Sequence, residues 1–195
     1  AFFPSPVTDD QLLADVATTV FAPTLAALAS EGRPYRGVLY AGIMLTTEGP
    51  KVIEYNCRFG DPETEVVLPL LGSDLYEILM ACATGSLDDV DIQWSSDAAV
   101  TVVMASRGYP FSRSEPAPIA GIDAAVASGC MVFHAGTATS AGEVVAAGGR
   151  VLAVTALRPT LVAAADAAHE GVALISFDGA QHRADIARAT AEAHP

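Results

Sequence analysis

Two apolar runs, residues 37–46 and 51–56, flank Thr47-Glu48-Gly49-Pro50, and no other feature restricts the fold of this chain so closely. Runs rich in Val, Leu, Tyr and Ile on either side of a Gly-Pro turn read as an antiparallel hairpin. Side chains alternate along a strand, so Glu54 and Asn56 share one face while Ile53 and Tyr55 face the other way. Asn is depleted in strands, and Glu is to a lesser degree. A carboxylate and an amide oxygen held side by side suit a hard cation such as Mg²⁺, which takes one or two carboxylates plus substrate phosphates. The opposing reading is an ordinary solvated hairpin face. The residues that follow, Cys57-Arg58-Phe59-Gly60-Asp61-Pro62-Glu63, tip the balance toward a site.

That following run offers further candidates. If the strand continues, Arg58 shares the face of Glu54 and Asn56, where its guanidinium could hold a carboxylate or phosphate through paired N–H donors. Alternatively it pairs with Asp61 or Glu63 and stiffens the loop. Asp61-Pro62 marks a loop because the residue before proline is biased away from the helical region. The carboxylates of Gly60-Asp61-Pro62-Glu63 either position an amine or, through Asp61, cap the next helix.

Around the hairpin the pattern is helical. Thr8 with Gln11 forms a capping-box signature, and Leu12, Val16 and Val20 recur at four-residue spacing. Pro23 inside this stripe predicts a kink or break, since proline lacks the N–H and crowds the preceding turn. Residues 63–71 predict a short helix. A second, capped by Ser73 and closed by Gly85, carries Leu75, Ile78, Leu79 and Cys82 on one side. Residues 87–97 are acidic and polar apart from Trp94, which is expected to be a packing anchor. The domains are accordingly divided into residues 1–91 and 92–195. The second holds short apolar runs at 98–105, 131–135, 143–147 and 151–157, with a loop over 108–121. Thr160 then opens a helix bearing Leu161, Ala165, Ala168, Val172 and Ile175. The fold class is α+β, an antiparallel sheet with helices followed by a small β-rich domain with a helix.

Composition excludes several functions. A net charge of −13 and a pI near 4.4 disfavour nucleic acid and anionic membranes, which require basic surfaces. No apolar run is expected to reach bilayer length, the longest being broken by Arg158 and Pro159. Cys57, Cys82 and Cys130 lack metal or disulfide spacing and fit a reducing, cytoplasmic setting. His134 is expected in the core; His169, His182 and His194 are expected at the surface. Gly148-Gly149-Arg150 reads either as a backbone phosphate contact or as a tight turn.

Val52-Ile53-Glu54-Tyr55-Asn56-Cys57-Arg58-Phe59-Gly60-Asp61-Pro62-Glu63-Thr64-Glu65 resembles the metal-binding strand of ATP-grasp enzymes, and its wording is close to the glycinamide ribonucleotide synthetase (phosphoribosylamine–glycine ligase) family. Pro34-Tyr35-Arg36-Gly37, Gly108-Tyr109-Pro110, Phe133-His134-Ala135-Gly136-Thr137 and Gly148-Gly149-Arg150-Val151 match the same family in the same order. The resemblance implies the C-terminal part of an ATP-grasp core followed by a small C-terminal domain. It implies Glu54 and Asn56 as ligands of Mg²⁺ (or Mn²⁺), with ATP as co-substrate. It implies Arg58 as a catalytic and substrate-binding residue, and Gly60, Asp61, Pro62 and Glu63 as substrate-binding. The implied reaction joins glycine to 5-phosphoribosylamine through a glycyl phosphate, giving glycinamide ribonucleotide, ADP and phosphate.

The chain opens without an initiator Met, and family members carry a further N-terminal portion; this piece is expected to need that portion as a partner and to be inactive alone. Other ATP-grasp ligases or carboxylases, and a non-catalytic assembly or dimer module, are the alternatives. In the final segment, members read Tyr-Arg-x-Asp-Ile-Gly where this chain has His182-Arg183-Ala184-Asp185-Ile186-Ala187, which puts a role for that tail in doubt.

Overall fold

The α+β composition expected from the sequence is present in the computed structural model, which describes residues 1–112 and 114–188. In chain order the elements are β1 (Phe2–Phe3), α1 (Asp10–Val16), α2 (Ala22–Ser30), β2 (Tyr40–Thr46), β3 (Gly49–Asn56), α3 (Thr64–Val67) and α4 (Leu75–Thr84). They continue with β4 (Ala98–Ala105), β5 (Ala117–Pro118), α5 (Ile122–Ala127), β6 (Met131–His134), β7 (Thr137–Ser140), β8 (Glu143–Ala146), β9 (Arg150–Arg158) and α6 (Leu161–Leu174). Ala1–Pro4, Pro62–Leu70 and the described residues from Ser95 on form one compact unit; Ser5–Asp61 and Leu71–Trp94 form the other. The chain thus passes between these compact units several times. The cause is local packing: Val66 and Leu70 bury against Ala99 and Leu157, which ties α3 to the later sheet.

In the unit that contains β4, an antiparallel sheet runs in the order β1-β4-β9-β6. Both central strands are continuous apolar runs because both of their faces are covered. Val100, Val102 and Met104 of β4, with Leu152, Val154 and Ala156 of β9, bury against Ala164, Ala165, Ala168 and Val172 of α6. On the opposite face the hydroxyls of Thr101 and Thr155 meet across the strands, Thr155 Oγ1 donating at 2.7 Å. The pair is fully buried and satisfies itself. Thr160 caps α6 by accepting from Ala163 N at 3.2 Å, as expected, but the helix stops at Leu174 and Ile175 is already extended. A separate sheet, β5-β8-β7, flanks this core.

In the other unit, Asp9 and not Thr8 caps the first helix, accepting from Leu12 N at 2.7 Å. The break expected at Pro23 does not occur. Ala17–Phe21 widen into a π turn, and Pro23 sits at the start of α2, where a missing N–H matters least. The resulting helical run, Asp10–Ser30, has 21 residues, and an 18-residue stretch within it has a mean hydropathy of 1.7. It is long and apolar enough to cross a membrane, which corrects the expectation that no run reached that length. Asp74 caps α4, accepting from Tyr76 N at 2.7 Å, while the Ser73 hydroxyl accepts from Gln93 N at 2.7 Å. Gly85 closes α4 at φ 81°, a left-handed position glycine adopts without strain. Trp94 is 55% exposed and only bridges to Leu71, so it is no buried anchor.

Candidate functional site

The hairpin β2–β3 builds the candidate pair. Glu54 lies opposite Gly42 and Asn56 opposite Tyr40, which sets both on one face. Asn56 Nδ2 donates to Glu54 Oε1 at 3.0 Å. The ladder carries a bulge, because Val52 pairs with Ile43 while Glu54 pairs with Gly42. Ile53 is therefore an extra residue, 65% exposed, and the strict alternation expected of it fails there. Gly42 has a purpose that was missed in the sequence. A Cβ at this position would come within 3.2 Å of Glu54 Cγ, so the glycine leaves room for the stem of that side chain. A lone glycine inside a strand pattern was the available signal.

A surface carboxylate and a half-buried carboxamide one hydrogen bond apart are hard oxygen donors, and they fit a small divalent cation. Among the described residues no group of three or more His, Cys, Asp or Glu side chains gathers as a metal site. A two-residue protein contribution, completed by phosphate oxygens and water, is the ordinary pattern for Mg²⁺.

Arg58 departs from expectation. β3 ends at Asn56 and the chain bends at Cys57 and Arg58, so Arg58 does not extend the strand face. Its Nη1 donates to Phe59 O at 2.8 Å. Gly60 is buried, Asp61 is exposed, and Pro62 and Glu63 are half-buried. Asp61, Pro62 and Glu63 form a turn, and the N-cap position of α3 belongs to Glu63 instead of Asp61. Gly60 and Asp61 belong to the unit of Glu54 and Asn56, whereas Pro62 and Glu63 belong to the other. The structure thus joins Glu54 to Asn56 directly, and the remaining candidates follow along the chain.

Other sequence candidates resolve differently. His134 is exposed at a strand end, its Nδ1 3.0 Å from Thr137 Oγ1, and is not in the core. His169 is buried, not at the surface, with Nε2 3.0 Å from Ile186 O. His182 is exposed as expected, and His194 lies outside the described residues. Cys57, Cys82 and Cys130 are all free thiols. The glycines 148 and 149 serve close packing. A Cβ on Gly148 would lie 2.7 Å from Gly136 Cα, and one on Gly149 would lie 2.6 Å from the Tyr109 ring. In the tail, Arg183 grips Asp185 with a fork, Nε to Oδ1 at 2.9 Å and Nη2 to Oδ2 at 2.5 Å. That grip holds the Asp185 carboxyl below its ordinary value. Ala187 sits at φ 60°, the left-handed region that glycine adopts without strain.

Residues 99–189 match the family described as phosphoribosylglycinamide synthetase, C domain, and residues 1–64 match its ATP-grasp (A) domain. The long apolar helical run lies inside the second match. The chain is 49% identical over 187 residues to the human trifunctional purine biosynthetic protein adenosine-3, covering 95% of this chain and 18% of that protein. It is 47% identical over 197 residues to phosphoribosylamine–glycine ligase of Streptomyces coelicolor, covering 99% of this chain and 47% of that one. The crystal structure of phosphoribosylamine–glycine ligase from Thermotoga maritima superposes with a TM-score of 0.79 at 32% identity, covering 93% of this chain and 44% of that one. The chain spans less than half the length of these relatives.

Proposed function

We propose, from the premise that this chain belongs to the phosphoribosylglycinamide synthetase family, that it forms part of a ligase joining glycine to 5-phosphoribosylamine at the expense of ATP. The observation that carries the proposal is the Glu54–Asn56 pair, held one hydrogen bond apart on a hairpin that lies within the ATP-grasp match. In this reading ATP phosphorylates the glycine carboxylate. The amine of 5-phosphoribosylamine then attacks the acyl carbon; a C–N bond forms, the bond to phosphate breaks, and the amine loses a proton. The neutral amine is already nucleophilic, so no dedicated base is required.

Each residue has a role in this scheme. Glu54 and Asn56 would hold Mg²⁺ or Mn²⁺, which when bound offsets charge on the phosphoryl oxygens. Arg58 spends one N–H on the Phe59 carbonyl, and a guanidinium has five such donors, so others serve a carboxylate or phosphate. Asp61 and Glu63 accept hydrogen bonds from the substrate amines, and Gly60 and Pro62 fix the turn that carries them. The lobes that cover ATP come from the longer polypeptide, and the free thiols suit work in the cytoplasm.

The test replaces the matching part of the Streptomyces coelicolor ligase with this chain. ADP release that requires both glycine and 5-phosphoribosylamine is expected. A folded chimera whose ADP release ignores either substrate would count against the reading.

A further inference from the structure

The unit that carries the hairpin opens into a cavity of about 480 Å³, lined by Phe21, Leu25, Arg36, Leu39, Gly85 and Leu87 among others. We propose that this cavity binds a small carboxylic acid with an aromatic or aliphatic body, its carboxylate on Arg36 and its body on the apolar walls. None of the residues assigned to the metal or to the ligase substrates lines the cavity, so its occupancy is independent of that reading.

Charge points to an anion. Of the four Lys and Arg side chains in this unit, Arg33 pairs with Glu31, Lys51 pairs with Glu48 at 3.3 Å, and Arg58 donates to the Phe59 carbonyl. Arg36 alone among them has neither an ion pair nor a hydrogen bond with the described residues. Acids are abundant in a chain of net charge −13, yet none lines the cavity to claim this guanidinium.

Packing fixes how the guanidinium is presented. A Cβ on Gly85 would lie 2.8 Å from Arg36 Cζ, 2.8 Å from Nη1 and 2.9 Å from Nη2. Three near-equal distances mean that the guanidinium plane rests flat on the glycine, with its N–H edge turned sideways. The left-handed cap that closes α4 thus doubles as a shelf for Arg36. The backbone on either side is held as well. Tyr35 Oη donates to Val38 O at 2.7 Å, and Gly37 between them stands at φ 145°, where a Cβ would lie 3.2 Å from that hydroxyl. A fork fixed in this way meets the two oxygens of a carboxylate side by side.

The walls select the rest of the ligand. Phe21 and Leu25 of the helical run, Leu39 ahead of β2 and Leu87 beyond α4 supply apolar surface, and Leu25 and Leu87 are exposed. One cation beside such walls suits a monoanion with an apolar body. A phosphate dianion requires more donors, and the other polar side chains on the cavity are only the Tyr35 hydroxyl, already given to Val38 O, and the Cys82 thiol. The volume falls in the range of small-ligand sites.

The probe is hydrocinnamate, titrated into the 195-residue chain by calorimetry and by amide NMR. Acetate is the control that lacks the body, and hydrocinnamyl alcohol the control that lacks the charge. Saturable binding of hydrocinnamate, about tenfold or more tighter than either control, is expected, with shifts at the Arg36, Gly37 and Gly85 amides. Arg36→Gln, at an exposed position, should weaken that binding about tenfold or more. Arg36→Lys, which keeps the charge and removes the fork, should weaken it about threefold or more and supplies the readout if the first variant does not fold. No saturable binding, equal affinity for either control, or unchanged affinity in a folded variant would overturn the site.

Discussion

Two single residues near the end of the described chain, Ala187 and Asp185, can be weighed numerically. Ala187 at φ 60° bears a left-handed penalty of roughly 1–2 kcal/mol that glycine would escape. Glycine would lose roughly 0.5–1 kcal/mol through unfolded-state freedom and roughly 0.8 kcal/mol of methyl burial, because Ala187 is packed in the core. The contributions nearly cancel. Ala187→Gly should therefore leave stability within about 1 kcal/mol of the parent, whereas Ala187→Val, β-branched at positive φ, should cost about 2 kcal/mol or more in urea unfolding. Asp185 provides the second case. Hydrogen bonding from Arg183 holds its carboxyl below the ordinary 3.8, so the fork is complete above that pH and is lost as pH falls through the lower folded value. In Arg183→Gln, an NMR titration of the Asp185 carboxyl should move its midpoint up toward 3.8. An unmoved midpoint would show that Arg183 is not the cause.

At the scale of elements, the legible parts were those whose sequence period matched their surroundings. β4 and β9 read as strands because both faces are covered, and α6 because Thr160 caps an apolar stripe. β7 did not, since Thr137–Ser140 lacks an apolar side to alternate. α5 did not either, since its N-cap is Gly121 at φ 89° and no side chain marks the start. The two bulges were equally hidden. Each inserts one residue, Ile53 beside Glu54 or Val151 beside Arg150, and a bulge depends on the partner strand as much as on its own. The contact of α6 with the sheet allows a direct test. A Cβ on Gly171 would lie 2.6 Å from Cys130 Sγ and 3.0 Å from Val154 Cγ1. Gly171→Ala gains up to about 1 kcal/mol of helix propensity but overpacks by roughly 1–3 kcal/mol, so a net loss of about 1–2 kcal/mol is expected on thermal melting. Adding Cys130→Ala should recover part of it; no recovery would place the clash elsewhere.

For the whole molecule, what could be read was the chemistry of one strand, and what could not was how distant segments come together. Glu54 and Asn56 were visible because a period of two is local. The cavity beside Arg36 was not, because it needs the long helical run, residues 35–39 and the end of α4 at once. The passage of residues 62–70 into the other compact unit was hidden for the same reason: Val66 and Leu70 pack against Ala99, some thirty residues later in the chain. Lys51 is the only lysine, so on the ligase reading this chain offers few cationic side chains to grip nucleotide phosphates. Calorimetry of the 195-residue chain with MgATP should accordingly show no saturable binding below about 1 mM, a free energy weaker than roughly −4 kcal/mol. Micromolar binding would contradict this.

The most direct measurement is glycine-dependent ADP release by the chimeric ligase with and without Glu54→Gln. The hairpin exposes Glu54 and no core packing depends on it, so the melting temperature should be unchanged. Turnover should fall about 100-fold or more, the range seen when a group that stabilises transition-state charge is lost. Turnover within twofold of the parent would remove Glu54 from the metal site and with it the account of this strand.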